Sequence, residues 1–415
     1  MDVLFDATVA SLAMWLGLVL FWGRFWWADQ HLPGDAPNDL PRGWPAVVAV
    51  IPARNEAPTI GRTVRSLLTQ DYPGDLSVIV VDDNSDDGTE DAARDAAARI
   101  GQEDRLTVID GNPLKGGWSG KLWAVHQGIA AAAEARPDAP YILMTDADIA
   151  HDPGNLRRLA AKAEMEGRDL VSLMVRLNCE TGWERLLIPA FVFFFQKLYP
   201  FPWVNDPVKR MAAAAGGCML VRRKAVEDAG GIAIIRDRII DDCALAALLK
   251  ASGTIWLGLG DRTVSLRRYD DLAEIWRMVA RTAFAQLRRS PVLLAGSVIG
   301  MAVLYLTPPL ALAVGAGTGD WGLMGFGAGA WALMTLAYFP TLRRYGFGVL
   351  WGLTLPVAGG LYTLMTVGSA IDHWRGRGGA WKGRTYAGLT ATRPPSGETP
   401  PGPPDPRKTA DFVDW

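Results

Sequence analysis

Two carboxylates stand one residue apart in the segment "YILMTDADIAHD", which runs from Tyr141 to Asp152. They are Asp146 and Asp148, and they follow an apolar run. Such a pair is costly to bring together unless a cation or a hydrogen-bond network compensates the two charges. Hard oxygen ligands of this kind suit Mg²⁺ or Mn²⁺, which usually bind one or two carboxylates together with substrate phosphates. The segment therefore predicts a divalent metal site that also contacts a diphosphate.

Polar residues also end two strand-like runs earlier in the chain. The first run ends in "IPARNEA" (Ile51 to Ala57), which we interpret either as a binding segment or as a loop with a salt bridge. The second ends in "VVDDNSDDGT" (Val80 to Thr89), where a helix cap explains the later acids but not Asp82 and Asp83 inside the run. A carboxylate at such a strand end can accept hydrogen bonds from a nucleobase or from ribose hydroxyls.

Two further segments carry charged groups at predicted helix starts. In "GGWSGKLWA", backbone N–H groups would attract an anion and Lys121 could add a point charge to a diphosphate. In "IIDDCALAALLKASG", Asp241 and Asp242 precede an apolar-faced helix. An N-cap is the simpler interpretation, but two adjacent acids exceed what a cap needs. One of them could be a general base that takes a proton from a hydroxyl.

Apolar strands alternate with amphipathic helices around these residues. The strand-like runs "AVVAVIPA", "LSVIVVDD", "RLTVID" and "YILMTD" are separated by helix-like runs such as "TIGRTVRSLLTQ" and "GTEDAARDAAARI". This alternation predicts an α/β fold with a mostly parallel sheet and helices on both faces. In open sheets of this type the ligand lies at the carboxyl ends of the strands, where the polar residues fall.

The composition limits the classes of partner. A net charge of −2 argues against nucleic acid, which normally demands a basic surface. The three cysteines share no metal-like spacing and predict buried thiols in a reducing compartment, and the four scattered histidines do not predict a zinc site.

Apolar stretches near both ends of the chain predict a membrane protein. Each is long enough to cross a bilayer: Val9 to Ala28, Val292 to Gly317, Trp321 to Leu342, and Phe347 to Ile371. The first has neither a basic segment before it nor a cleavage signal after it, so we expect an uncleaved anchor rather than a signal peptide.

The charges beside these stretches predict an orientation. Asp2 and Asp6 precede the anchor while Arg24 and Arg42 follow it, which places the central domain in the cytoplasm, at the inner membrane of a bacterium. The basic segment "HWRGRGGAWKGR" does not fit, because four full crossings would put it outside. One late stretch could be re-entrant, at Pro308-Pro309 or around Pro356 and Gly359-Gly360. The number of crossings stays open.

The sequence divides into six regions. The predicted order is an anchor (1–30), a linker (31–45), a catalytic α/β domain (46–290), membrane helices (291–372), a basic segment (373–392) and a Pro-rich disordered tail (393–415).

The ordered set "IPARNE", "VVDDNSDDGT", "GGWSGK", "TDADI", "GGCMLVRR" and "IDD" resembles family 2 glycosyltransferases with the GT-A fold, over roughly Val47 to Ser290. The resemblance implies a Rossmann-like sheet, a nucleotide-sugar donor linked to uridine, and inversion at the anomeric carbon by single displacement. It implies nucleoside contacts from Pro52, Arg54, Glu56, Asp82 and Asp83, donor contacts from Lys121 and Asp146, a metal at Asp146 and Asp148, and a base at Asp242 beside Asp241.

Processive members of the family carry Q-x-x-R-W, and here "QLRRS" has Ser290 where tryptophan would stand. This departure argues against a processive polysaccharide synthase. Arg281, Gln286 and Arg289 are expected either to reach the diphosphate or acceptor, or to be ordinary interfacial charges.

An anchor before the domain and a helix cluster after it resemble ceramide-glucosyltransferase-like members. "GGWSGKLWA", "RTAFAQL" and "WKGRTY" are more similar to the bacterial hopanoid-cluster glycosyltransferases, which implies a hopanoid acceptor. Carotenoid, ceramide-like and polyprenyl-phosphate acceptors, and a non-catalytic membrane scaffold, are the alternatives. The segment from Leu186 to Trp203 is expected to be either an interfacial helix beside a lipid acceptor or a buried core helix.

Overall fold

The computed structural model describes residues 2–377. The predicted Pro-rich tail (393–415) and most of the predicted basic segment (373–392) lie outside the described residues.

An eight-stranded mixed sheet forms the centre of the α/β domain, in the order β3-β2-β1-β4-β7-β6-β8-β5. The strands are β1 Val47–Ala53, β2 Leu76–Asp82, β3 Leu106–Asp110, β4 Tyr141–Met144, β5 Ile149–Ala150, β6 Leu170–Arg176, β7 Met219–Arg222 and β8 Ile255–Ser265. The first four strands in the sequence are mutually parallel, as the βαβ alternation predicts. β7 is antiparallel to both β4 and β6, and β5 is antiparallel to β8, so the other half of the sheet is mixed.

Fourteen α-helices are present in the described residues. They are α1 Asp2–Phe21, α2 Ala57–Leu68, α3 Thr89–Ala98, α4 Gly120–Ala135, α5 Asn155–Glu166, α6 Gly182–Leu198, α7 Phe201–Asn205, α8 Arg223–Asp228, α9 Asp241–Lys250, α10 Leu272–Gln286, α11 Pro291–Met301, α12 Thr307–Thr318, α13 Trp321–Arg344 and α14 Leu355–Trp374. A π-helical turn, Ala302–Leu306, joins α11 to α12 as one continuous helix.

Both faces of the sheet are covered, because successive strand side chains point to opposite sides. Val48 and Val50 of β1 belong to the core that also contains α4, whereas Ala49 and Ile51 belong to the core that contains α2. α4 lies especially close to the sheet: a Cβ atom on Gly128 would stand 2.4 Å from Val50 Cγ1. This close approach fixes the position of the start of α4 at the carboxyl ends of β1 and β4.

Within residues 2–377, four helical segments are long and apolar enough to cross a membrane, by length and composition: Asp2–Phe21, Pro291–Thr318, Trp321–Arg344 and Val349–Trp374. The first helix begins and ends seven residues before the predicted stretch Val9 to Ala28. Gly23 and Arg24 adopt left-handed backbone angles, and the tryptophans that follow form a separate 3₁₀ turn. The apolar residues therefore continue beyond the helix, but Trp22 packs against Trp203 and Phe25 against Phe193 instead of extending the anchor.

The segment predicted as either an interfacial or a buried helix forms α6 and α7. Leu187, Ile188 and Phe193 of α6 are buried, which favours the buried interpretation. Pro189 lies inside α6 and has no N–H to bond the carbonyl of Arg185. That carbonyl accepts a hydrogen bond of 3.1 Å from Trp351 Nε1, in the segment before α14.

Polar contacts attach the membrane helices to the sheet. His31, in the linker after α1, lies 2.9 Å from the Asp261 carboxylate of β8, and Leu259 N donates to Gln30 O at 2.7 Å. Arg344, at the end of α13, donates to Gly260 O at 2.6 Å and pairs with Asp261 at 3.2 Å. The edge of the sheet is therefore bonded to both the first and the third candidate membrane helices.

Candidate active site

Lys121 joins the acidic groups that follow separate elements. Its Nζ atom lies 2.8 Å from Asp146 Oδ1 and 3.3 Å from Asp241 Oδ2. Asp146 follows β4, Asp241 begins α9, and Lys121 is in the first turn of α4, where the Ser119 side chain caps the helix. The described structure thus compensates the Asp146 charge with an ammonium group.

Asp242 is next to this cluster and is held by backbone donors. Its Oδ2 atom accepts a 3.0 Å hydrogen bond from Gly216 N, and its Oδ1 atom accepts one of 2.7 Å from Cys243 N. A Cβ atom on Gly216 would lie 3.1 Å from Lys121 Nζ and 3.6 Å from Asp242 Oδ2. Glycine at this position therefore lets the ammonium and the second carboxylate approach the same strand end.

The charges in this cluster affect one another. Burial and, secondly, the neighbouring Asp241 raise the pKa of Asp242 to about 6, although Lys121 opposes both effects. Burial alone would lower the pKa of Lys121, but Asp146 and Asp241 raise it above its ordinary value. The cluster therefore contains a stable cation and a carboxyl group that can exchange a proton near neutral pH.

A small cleft opens beside these groups at the carboxyl ends of β1 and β4. Its walls are partly apolar and partly charged, and its lining residues are Pro52, Lys121, Leu122, Val125, Met144, Thr145, Asp146, Gly216, Met219, Ile232, Ile235, Asp241 and Leu245. A cleft at this edge of an α/β sheet is the usual place for a ligand.

The other predicted nucleoside contacts lie in two loops that are bonded to each other. Arg54 donates to the backbone carbonyls of Asp83 and, at 3.1 Å, Asn84. Asp82 Oδ1 accepts a 2.8 Å bond from Ser85 N, and Glu56 N donates to Thr89 Oγ1 at 2.9 Å. Asp82 and Asp83 are buried. The structure therefore brings Arg54, Glu56, Asp82 and Asp83 together, one strand away from the Lys121 cluster.

The segment Asp146-Ala147-Asp148, here called the D-x-D segment, fits a divalent ion that takes only some of its ligands from the protein. The Asp146 side chain is 36% exposed, and Asp148 is half-buried in the turn before β5, where its carbonyl accepts a bond from Leu266 N. In residues 2–377, no group of three or more His, Cys, Asp or Glu side chains is placed to hold a metal. These two carboxylates suit an ion that takes its other ligands from a diphosphate and water.

A buried network beneath the D-x-D segment is not evident in the sequence. Thr145 donates to Gly217 O at 2.7 Å, so its oxygen can accept a 2.9 Å bond from His151 Nε2. His151 Nδ1 then accepts from Asn155 Nδ2 at 3.1 Å. The sequence gives no signal of this pairing, since Gly217 is 72 residues from Thr145 and only the spacing of His151 to Asn155 is helical.

The structure places the three residues predicted to contact the diphosphate or the acceptor substrate in different surroundings. Gln286, at the end of α10, donates a 2.6 Å hydrogen bond to the Tyr199 hydroxyl, which also bonds the thiol of Cys243 beside Asp242. Arg281 is exposed on α10. Arg289 N donates to Phe284 O, and Phe284 packs against the end of α14. Gln286 is thus connected to the acidic cluster through Tyr199, a residue that the sequence did not single out.

Residues 48–230 match the model described as "Glycosyl transferase family 2". This part of the chain is thus similar to family 2 glycosyltransferases, and the mixed sheet with flanking helices has the GT-A architecture.

Two curated relatives and one solved structure extend the comparison. An N-acetylglucosaminyltransferase of Mesorhizobium japonicum is 32% identical over 204 residues, covering 46% of this chain and 42% of the relative. A 4,4'-diaponeurosporenoate glycosyltransferase of Staphylococcus aureus is 36% identical over 104 residues, covering 25% of this chain and 24% of the relative. The chain thus spans less than half the length of each.

The mannosyltransferase PcManGT of Pyrobaculum calidifontis, solved in complex with GDP-Man and Mn²⁺, superposes with a TM-score of 0.55. The alignment covers 89% of this chain and 99% of that protein at 21% sequence identity. Because the alignment covers most of this chain and nearly all of that protein, the overall fold is shared.

We predict that His151 makes folding sensitive to acid. Burial lowers its pKa to about 3 from an ordinary 6.5, so its contribution to the free energy of unfolding is full above pH 6.5 and is lost as pH falls. Between pH 6.5 and 5 this loss is about 2 kcal/mol, at about 1.4 kcal/mol per pH unit. His151→Gln, whose amide can replace both hydrogen bonds, should therefore lose less thermal stability than wild type between pH 7 and 5 in detergent solution.

The matched control is His31→Gln. The hydrogen bond to Asp261 raises the pKa of His31, so its contribution is present below pH 6.5 and is lost at higher pH. This variant should be more sensitive to acid than wild type. Identical acid sensitivity in wild type and His151→Gln would contradict the assignment of a neutral buried His151.

Proposed function

We propose that this protein is an inverting, metal-dependent glycosyltransferase that transfers a sugar from a nucleotide sugar to a hydroxyl group of a membrane lipid. The main support for the proposal is a series of side-chain contacts that leads from Lys121 to the helices of the membrane region. Lys121 contacts Asp146 on one side and Asp241 on the other. Asp242 is the next residue, and the Cys243 thiol, Tyr199 and Gln286 continue the contacts to α10.

The donor would occupy the strand ends. Arg54, Glu56, Asp82 and Asp83 surround a position suited to the nucleoside, because carboxylates there can accept hydrogen bonds from ribose or base. Pro52 lines the adjoining cleft with Lys121 and Asp146. Lys121 would then lie beside the diphosphate, where its positive charge favours departure of the nucleotide. A uridine diphosphate sugar is the proposed donor.

Asp146 and Asp148 would hold the divalent ion, which is Mg²⁺ or Mn²⁺. Such an ion, when bound, neutralises charge on the diphosphate as the bond to the sugar breaks. The PcManGT structure contains both GDP-Man and Mn²⁺, which makes these two classes of ligand the first to test here.

Asp242 would be the catalytic base. Its carboxylate takes the proton from the acceptor hydroxyl while that oxygen attacks the anomeric carbon, and the bond from this carbon to the diphosphate oxygen breaks on the opposite face. The configuration at the anomeric carbon is thereby inverted. A pKa raised by burial suits this role, because a stronger base draws the proton more effectively and is still ionised at neutral pH.

The acceptor is proposed to be a polycyclic isoprenoid alcohol of the hopanoid type. The motifs shared with hopanoid-cluster glycosyltransferases support this choice, and so do the apolar helices beside Tyr199 and Gln286. A carotenoid acid or alcohol is the second candidate, because the chain is 36% identical over 104 residues to 4,4'-diaponeurosporenoate glycosyltransferase. The charges beside the anchor support a location in the bacterial inner membrane with the catalytic domain in the cytoplasm.

We predict that Asp242→Asn retains donor binding but reduces transfer by at least 100-fold, because general base catalysis typically contributes about 10²–10⁴ in rate. Nucleotide release and lipid product would be measured at saturating donor concentration, with donor affinity measured separately by calorimetry. Asp237→Asn is a suitable control, since Asp237 is an exposed acid four residues from α9. Transfer at the wild-type rate in Asp242→Asn would remove this residue from the base role.

We predict that Asp148→Ala abolishes the increase in donor affinity that Mn²⁺ or Mg²⁺ produces, because one of the two carboxylates available to the ion is lost. Calorimetric titration of the nucleotide sugar with and without the ion measures this effect without requiring turnover. Asp138→Ala, which alters an exposed acid paired with Arg136, should behave like wild type. A metal effect of wild-type size in Asp148→Ala would contradict the assignment.

The acceptor is tested by incubating purified enzyme with Mg²⁺ or Mn²⁺, a panel of nucleotide sugars, and either hopanoid alcohols, carotenoids, ceramide or polyprenyl phosphate. Mass spectrometry follows both nucleotide release and lipid mass. A sugar-sized mass increase on the hopanoid supports the proposal and identifies the sugar. A product with a carotenoid but not with a hopanoid would transfer the assignment to the second candidate.

A further inference from the structure

We propose that α14 does not cross the bilayer. It lies instead in a layer with α6 and α10 on the catalytic domain's side of the membrane, with its exposed apolar stripe against the lipid leaflet on that side. The chain would then cross the membrane three times, through α1, the continuous helix Pro291–Thr318, and α13. This inference is independent of the proposed reaction.

α6 and α10 lie side by side, and both ends of the pair are attached to the catalytic domain. At their starts, Glu184 accepts a 2.7 Å hydrogen bond from Tyr269 N, in the segment between β8 and α10. At their ends, Gln286 donates to Tyr199. The chain then returns to the sheet, because Asn205 at the end of α7 donates to Leu257 O of β8 at 3.0 Å. Neither helix of this pair leaves the catalytic side.

The segment Val349–Trp374, here called the α14 segment, runs alongside α6 and α10 from the start of this pair to its end. Near the start of α6, Trp351 donates to Arg185 O at 3.1 Å and Tyr362 donates to Leu187 O at 2.9 Å. Near the end of α10, Ser369 donates to Ala280 O and accepts a 3.1 Å bond from Phe284 N. The α14 segment therefore has hydrogen bonds to the same helical pair at both of its ends.

Aromatic and close contacts confirm where α14 ends. The Phe284 ring is 5.5 Å from His373 and 5.6 Å from Trp374, measured between ring centroids. Ala370 shares a small apolar cluster with Leu294, in the first turn of α11. Since α11 directly follows α10, the last turn of α14 lies where the second membrane helix begins. A crossing helix would instead have its two ends on opposite faces of the bundle.

The distal part of the bundle is built from the other three segments. Phe5 of α1 packs against Phe326 of α13 with ring centroids 5.5 Å apart. A Cβ atom on Gly327 of α13 would stand 2.9 Å from Pro308 O of α12, so these two helices are in close contact. α14 meets the second membrane helix nearer its middle, where a Cβ on Gly359 would lie 2.8 Å from Tyr305 Cγ.

The surface that α14 leaves exposed fits a lipid leaflet. Val357, Leu364 and Ile371 are spaced seven residues apart on one helix face and are 58%, 57% and 37% exposed. Trp374 is 58% exposed at the helix end, a position typical of tryptophan at a membrane interface. Lipid is the occupant that this apolar face requires if the helix lies on the membrane.

Charge distribution supports three crossings over four. Three crossings place Arg42, Arg343, Arg344, Arg375 and Arg377 on the catalytic side, and Asp2, Asp6 and Asp320 on the other. Four crossings would move the basic group after α14 to the acidic side, against the excess of Lys and Arg that cytoplasmic segments carry. The conflict between the basic segment and the four apolar stretches thereby disappears.

The test uses full-length protein carrying one added cysteine at Asp35, Thr318 or Arg377, each of which is exposed. A membrane-impermeant maleimide is applied to intact spheroplasts and to inside-out vesicles of the expression host. Wild type measures the background from its own cysteines, of which Cys218 is buried and the other two are half-buried. Asp35→Cys reports the catalytic side, and Thr318→Cys reports the turn between α12 and α13.

The proposal requires that Arg377→Cys be labelled in the same preparation as Asp35→Cys, and Thr318→Cys in the opposite one. Labelling of Arg377→Cys together with Thr318→Cys would show that α14 crosses the bilayer and would overturn the proposal. Green fluorescent protein fused to the C-terminus of the full chain gives a second measurement that needs no substitution. Bright fluorescence in cells supports three crossings, whereas a dark fusion at equal expression supports four.

Discussion

The contact between the Lys121 ammonium and the carboxylates of Asp146 and Asp241 is the interaction on which the candidate site depends. Three elements deliver these groups: a helix start, a strand end and a second helix start. Without the cation, three acids would share one partly buried cleft, and their mutual repulsion would oppose the packing that brings those elements together. Removing one member of such a partly buried set leaves the others uncompensated, which is more costly than never having placed them there.

Much of the catalytic domain could be predicted from the sequence, because local patterns determine it. The strands around Ile51, Val80 and Leu143 are apolar runs followed by polar residues, and the structure has strands at all three positions. The GT-A fold is confirmed, and residues 48–230 match the family 2 glycosyltransferase model. The assignment of roles within the site stays a prediction. Lys121 was expected to face a diphosphate, and the structure shows in addition that it pairs with two of the predicted acids.

The features that could not be predicted from the sequence depend on contacts between residues that are distant in the chain. The antiparallel position of β7 cannot be derived from its apolar character alone, and the bond between Thr145 and Gly217 joins residues far apart in the chain. Tyr199 ends an aromatic run in which nothing distinguishes one ring from another before the fold places it beside Cys243. The end of α1 is not evident from the sequence for a similar reason, since hydropathy does not reveal the left-handed residues that follow the helix after Phe21.

Two other helices donate hydrogen bonds to the π-helical turn Ala302–Leu306. Trp15 of α1 donates to Leu304 O within the π-helical turn, and Lys197 of α6 donates to the Tyr305 hydroxyl beside it. A π turn leaves carbonyls without their usual helical donor, and in an apolar environment an unpaired carbonyl is costly. The irregular turn is therefore stabilised from two other helices, so its shape depends on the assembled bundle.

The absence of a side chain at Gly216 affects how closely Lys121 and Asp242 can approach each other. Its missing side chain leaves the space in which Lys121 and Asp242 approach one backbone amide. A methyl group there would act as a spacer between the cation proposed for the leaving group and the carboxylate proposed for the nucleophile. The two ends of a displacement reaction must stay within about one sugar ring of each other. The separation of the two groups proposed for this reaction is thus set, in part, by the missing side chain of Gly216.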